Sequence, residues 1–150
     1  MALFVLLTTV CVSAIAGLRD ESWTVNPSDF RYDMSLYFRM ENKDFEDLSS
    51  FEIGAFVDDE CRGLAEKLDL TQGESCLYMR IRSNKASGEK LSFFMKDKKT
   101  GQIVIVKGSD GSELTFKADS RGGMPSDPFE MSPFYLIVFK IDGDTFDTQE

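Results

Sequence analysis

The side chains of this sequence that could do chemistry are carboxylates in turns, one arginine beside them, and a few aromatic rings. Asp58, Asp59 and Glu60 follow one another between two apolar runs. A carboxylate-rich turn can hold Ca²⁺, a hard cation that takes oxygen ligands. A solvated hairpin tip is the plainer reading, and the one we favour. Asp142-Gly143-Asp144, followed by Asp147, has the opening pattern of a calcium loop. Asp147 stands where such a loop needs its sixth-position glycine, and no twelfth-position glutamate follows. Asp142, Asp144 and Asp147 are nonetheless the candidate metal ligands, with Ca²⁺ the candidate cation. Arg62, between Glu60 and Gly63, offers a guanidinium for a ligand, set against a structural salt bridge. Tyr37 and Tyr78 stand on the polar faces of their segments and could form a platform for a sugar ring. Trp23 reads better as a core anchor. The candidate ligand-binding residues are therefore Tyr37, Tyr78, Arg62, Asp58 and Asp59.

Other chemistry is excluded by what the chain lacks. It has no histidine, which removes the commonest general base and metal ligand and every histidine-containing triad. No G-x-S-x-G, phosphate loop or H-E-x-x-H occurs. Paired carboxylates could in principle cleave a glycosidic bond, but these acids sit in turns. We expect no enzyme. The net charge of −9 and scattered basic residues argue against nucleic acid, which asks for a clustered cationic face.

The elements that must position these residues are strands. Tyr32, Met34, Leu36, Phe38 and Met40 alternate with Arg31, Asp33, Ser35, Tyr37 and Arg39. Period two over ten residues predicts a half-buried strand. Trp23 and Val25 suggest a short strand before it, with Asn26–Asp29 as the turn. Further strands are expected over Phe51–Val57, Cys61–Leu68, Ser75–Arg82, Leu91–Met95, Ile103–Val106, Leu114–Phe116 and Phe134–Ile141. The stretch Leu64–Leu68 would also suit two helical turns. Asn84–Gly88 and Arg121–Pro128 are expected to be irregular. Eight or nine short strands without a helical period read as a β-sandwich or barrel. We expect one all-β domain over residues 17–141: an antiparallel β-sandwich, Ig-like or carbohydrate-binding-module-like, with a jelly roll as the alternative.

Residues 1–16 read as a signal peptide and 142–150 as an acidic tail. Ala2–Ala16 is uncharged and mostly apolar, and Ala14-Ile15-Ala16 has the small-x-small pattern of a signal peptidase site. The run is too short to span a bilayer as a helix. No Lys or Arg follows Met1, and lipidation at Cys11 is the competing reading. An exported chain, periplasmic, cell-surface or secreted, would permit Cys61 and Cys76 to pair. A hairpin turning near residues 71–72 would hold their thiols roughly 20 Å apart at ~3.4 Å per residue, so we expect them free.

Six stretches carry a family likeness: Trp23–Pro27, Tyr32–Leu36, Ile53–Gly63 (IGAFVDDECRG), Leu91–Gly101, Leu114–Asp119 and Gly123–Phe129. Together they resemble a β-sandwich module of secreted and surface multidomain proteins of Bacteroidetes-type bacteria. GAFVDDECRG is the most specific part. The likeness implies an exported scaffold for adhesion or assembly, with no chemistry to carry over. The expected function is non-catalytic recognition of a protein or glycan at the cell envelope. A structural spacer, stabilised by Ca²⁺, is the alternative, and a small exported hydrolase the remote one.

Overall fold

A computed structural model describes residues 23–134, and the backbone of two short strands over Lys140–Asp142 and Thr145–Asp147. The expected signal segment 1–16 and Cys11 lie outside the described residues.

The alternation that predicts the strand at Tyr32 is used as its period requires. In β1 (Tyr32–Met40) the residues Met34, Leu36, Phe38 and Met40 are buried, and those between them are exposed or half-buried. Successive side chains of a strand point to opposite faces. Nine further strands follow: β2 (Phe51–Val57), β3 (Glu60–Asp69), β4 (Ser75–Ser83), β5 (Ser87–Lys90), β6 (Ser92–Asp97), β7 (Ile103–Gly108), β8 (Thr115–Lys117), β9 (Arg121–Gly122) and β10 (Phe129–Phe134). Lys140–Asp142 and Thr145–Asp147 form β11 and β12, which pair with each other.

The chain is all-β, but it is not a sandwich. Seven strands run in the order β10-β7-β6-β2-β3-β4-β1, and β10 then pairs with β1 to close the ring. The Ig-like and jelly-roll expectations are thereby corrected to a seven-stranded barrel. Six of the seams are antiparallel; the closing seam is parallel, with Phe38, Arg39 and Met40 opposite Phe129, Glu130 and Met131. Closure removes the sheet edges that a sandwich must protect.

β9 and β10 share one edge of β1. Arg121 and Gly122 pair with Ser35 and Leu36, while β10 takes over from Phe38 onward. Residues 123–128 leave and rejoin the sheet at Tyr37. Gly123 makes this possible: it has φ +66°, and a Cβ there would lie 2.4 Å from the Tyr37 carbonyl oxygen. Only glycine tolerates both the backbone angle and the approach.

The core lies inside the ring. Met34, Leu36, Phe38, Met40, Ile53, Ala55, Leu77, Met79, Ile81, Phe93, Met95, Val106 and Met131 form one buried cluster, against which Ala65 of β3 packs. Phe116 of β8 joins it, fully buried, with Leu91 and partly buried Leu114 beside it. Elsewhere Phe45 packs edge-on against Phe51, ring centroids 5.3 Å apart. Phe45 lies in a short 3₁₀ turn, Lys43–Glu46.

A second, smaller core lies apart from the first. Trp23, Phe56 and Ile103 are buried together, with Phe94, Leu64 and Cys61 packed on them. Trp23 is thus an anchor, but the strand expected around it is absent: residues 23–26 are irregular and a 3₁₀ turn spans Pro27–Asp29. Asn84–Gly88 is likewise partly a strand, since β5 pairs with β8. The helical alternative for Leu64–Leu68 is excluded, because β3 runs unbroken through it.

Cys61 and Cys76 are both free thiols. Cys76 stands opposite Leu68, one position from the expected register, so the distance argument against a bridge holds.

Candidate functional site

The β2–β3 hairpin sets the stage. Gly54 pairs with Leu64 and Ala55 with Gly63, but Phe56 pairs with Cys61, so Arg62 is the extra residue of a β-bulge. A bulge bends its strand and re-aims a side chain. Arg62 is re-aimed along the barrel wall, and its side chain is only 12% exposed. Nη1 and Nη2 donate to the two carboxylate oxygens of Glu89, at 3.2 and 3.3 Å. Nη1 also donates to the Arg82 carbonyl at 3.2 Å. Nε lies 2.6 Å from Glu60 Oε1, as an ion pair without hydrogen-bond geometry. The guanidinium carbon sits 5.2 Å from the centre of the Phe30 ring. Glu89 in turn accepts from the buried Ser83 hydroxyl. Burial pushes the Glu89 carboxyl upward, but the Ser83 and Arg62 hydrogen bonds and the Arg62 charge prevail and hold it below the ordinary glutamate value. Arg62 therefore spends its donors on the protein itself.

This network ties down a strap of chain, residues 23–31. Trp23 is held by the outer core, and Lys96 Nζ lies 4.3 Å from the centre of its ring. Phe30 lies against Arg62. Asn84 closes the strap, its Nδ2 donating to the Asp29 carbonyl at 2.8 Å and its Oδ1 accepting from the Arg31 N–H at 3.0 Å. Between the strap and strands β3 and β4 lies a depression of about 360 Å³. Val25, Pro27 and Leu64 supply its apolar surface; Tyr78, Glu66, Arg80 and Arg82 supply its polar groups.

The two candidate tyrosines are brought together here. Tyr37 of β1 stands directly opposite Tyr78 of β4, with ring centroids 5.1 Å apart and planes inclined at 47°. The Tyr78 hydroxyl is 3.3 Å from Ser35 Oγ, within hydrogen-bond reach. Both rings are half-buried, each leaving some surface to solvent. Tyr78 lines the depression and Tyr37 extends the aromatic surface beyond it. Arg80 is committed to Asp33, with Nη2 3.1 Å from Oδ2. Arg82 lines the depression half-buried, and among the described residues its guanidinium has no ion-pair partner.

The remaining candidates stand elsewhere. Asp58 and Asp59 are the exposed tip of the β2–β3 hairpin, Asp58 with φ 53°. Among the described residues no three metal-ligating side chains converge on one point. Asp142 and Asp147 belong to β11 and β12, where Asp142 is opposite Thr145 and Asp147 opposite Lys140. Their side chains, and Asp144 entirely, lie outside the described residues. Of the sequence candidates, then, Tyr37 and Tyr78 converge, and Arg62 supports the surface next to them without entering it.

Sequence reasoning missed Arg80, Arg82, Glu66 and the strap. Part of the signal was present: Tyr78, Arg80 and Arg82 alternate on one face of β4. The strap leaves no such mark, because it lacks periodicity. A second hollow of about 200 Å³ is lined by residues of β6, β7 and β10 and by Ser112–Leu114, and Glu113 and Lys107 are its charged groups. No helix among the described residues is long and apolar enough to cross a membrane. No known family model, curated protein or solved structure matches this chain.

Proposed function

We propose that this chain is an exported, non-catalytic recognition module that binds a glycan at the cell envelope through the outer surface of β1, β4 and β3. The observation that carries the reading is the Tyr37–Tyr78 pair at the rim of the strap depression. Aromatic faces stack on the C–H face of a sugar ring, and adjacent arginine and carboxylate groups bond its hydroxyls. A barrel wall holds such rings rigidly, so little side-chain entropy is lost on binding. One feature favours binding over catalysis: no histidine occurs in the sequence. The uncharged, mostly apolar run Ala2–Ala16 with its Ala14-Ile15-Ala16 pattern supports export.

A glycan array probed with the whole chain tests the reading, alongside a pull-down from envelope extract. The expected result is a family of related glycans retained by the wild type and lost by the Tyr37→Ala/Tyr78→Ala double variant with an unchanged melting temperature. A blank array together with an empty pull-down would overturn it.

A further inference from the structure

We infer that the strap depression selects a sugar bearing a single carboxylate, a uronic-acid type of residue, and that Arg82 is the residue that makes the selection. The inference rests on the glycan reading above and adds the charge of the ligand to it.

The pairing of the arginines around the depression leads there. Its charged groups are Arg80, Arg82 and Glu66. Arg80 is neutralised by Asp33 at 3.1 Å. Arg62, nearby beneath the strap, is neutralised by Glu89 and Glu60. Arg82 is left as a half-buried guanidinium with no ion-pair partner among the described residues. Asp33 stands opposite it across the β1–β4 seam but makes its ion pair with Arg80, and Arg62 donates to the Arg82 backbone carbonyl. A guanidinium presents a planar fork of donors that fits a carboxylate in two parallel hydrogen bonds.

The other groups narrow the ligand further. Glu66 stands opposite Tyr78 across the β3–β4 seam and is exposed. As a carboxylate it can only accept, so it suits a ligand rich in hydroxyl donors. Its negative charge also disfavours a dianion such as a phosphate monoester more than a monoanion. Tyr78, Leu64, Val25 and Pro27 provide a surface for the apolar face of a ring. One carboxylate, several hydroxyls and an apolar ring face together describe a uronic acid residue in a polysaccharide.

The test is calorimetric titration of the full chain with an oligoglucuronate and with the same oligosaccharide after its carboxyl groups have been reduced to alcohols. Wild type should bind the acidic form at least about tenfold more tightly, the difference made by one charge-assisted, bidentate contact. Arg82→Gln should remove that preference, weakening the acidic form far more than the reduced one. Arg82→Lys should retain part of it, because the charge stays and the fork is lost. Tyr78→Ala should weaken both forms alike. If wild type binds both forms equally and Arg82→Gln changes neither, the charge selection is wrong and the glycan reading stands. If wild type binds neither form, and the array of neutral and acidic glycans is also blank, both fall together. Melting curves recorded for each variant separate lost binding from lost fold.

Discussion

Phe38 and Phe129 stand opposite one another across the parallel seam that turns an open sheet into a barrel. Phe38 is fully buried, and Met131, two positions beyond Phe129, is buried to the same degree beside Met40. The seam is short, three residue pairs, and backbone bonds extend it: the Glu41 N–H donates to the Met131 carbonyl at 2.8 Å. Closure therefore depends on a few well-packed side chains. Met131→Ala should destabilise the fold by about 2–5 kcal/mol, the range for truncating a long buried apolar side chain. Urea unfolding followed by tryptophan fluorescence checks this; a loss under half a kilocalorie would mean the seam carries little of the stability.

Breaking the Arg62–Glu89 pair should be costly. Both side chains are 12% exposed, so removing one leaves a desolvated charge. Glu89→Ala is expected to cost about 3–5 kcal/mol. By contrast Arg39→Ala, at an ion pair with Glu130 in which both side chains are well exposed, should cost under about 1 kcal/mol. Equal losses in the two variants, read by chemical denaturation, would contradict the assignment of Arg62 as the tie beneath the strap.

The same pair predicts an acid sensitivity. Glu89 titrates below its unfolded-state value in the folded protein. Its carboxylate therefore adds stability that is complete above the unfolded pKa and fades as pH falls through the folded one. Stability should drop as pH is lowered below an ordinary glutamate pKa of about 4.3. Glu89→Gln should be less stable than wild type at pH 7 and lose less on acidification. Parallel slopes for the two proteins would remove Glu89 from the acid response.

Gly63 is a steric requirement rather than a conformational one. A Cβ there would lie 2.7 Å from the Arg80 carbonyl oxygen and 3.0 Å from Met79 Cγ. Backbone cannot yield to it cheaply, so Gly63→Ala should cost about 1–3 kcal/mol by overpacking. Because the clash is next to the bulge and the depression, a loss of sugar affinity should accompany it. A thermal melt and a binding titration on the same sample measure both.

The thiols should be slow to react. Burial pushes Cys61 up to about 11 and raises Cys76 as well. At pH 8 both are thiols, not the reactive thiolate. In a Cys11→Ser background, Ellman's reagent should label neither Cys61 nor Cys76 in the native protein within minutes, and should label both on unfolding. Prompt labelling of one equivalent without denaturant would contradict the packing described for Cys61.

Much of this fold is written in local pattern. Tyr32–Met40 announces its strand because one face of it is buried and period two is the only way to bury it. Asp97-Lys98-Lys99-Thr100-Gly101 announces its hairpin by turn chemistry: Asp97 Oδ1 accepts from the N–H groups of Lys99 and Thr100 at 2.8 and 3.2 Å, and Gly101 has φ +74°. What local pattern does not contain is which strand meets which. A sandwich and a barrel need the same alternating strands, and the β1–β10 seam that distinguishes them joins segments remote in sequence. β10 was hidden further by Pro133 and by polar Glu130 and Ser132, which blunt the apolar signal that pointed instead to Phe134–Ile141. The candidate site divides in the same way. Tyr37 and Tyr78 stood out because each breaks into the polar face of its strand. Their pairing, the spare charge of Arg82 and the strap that walls the depression are products of β1–β4 register and of long-range ties such as Asn84 to Asp29.

The parallel seam also fixes the order in which the molecule can be finished. A nascent chain that has reached only Ser120 already possesses β1 through β8, yet one margin of β1 still lacks its neighbours β9 and β10. That margin keeps its backbone donors and acceptors open until Arg121–Met131 arrive, and an open margin beside Leu36, Phe38 and Met40 is an adhesive one. Synthesis runs from the strand that waits to the strand that completes it, so the barrel cannot lock while its last segment is still inside the ribosome. The barrel thus stays unlocked, and the chain threadable, until Phe129–Met131 have been made.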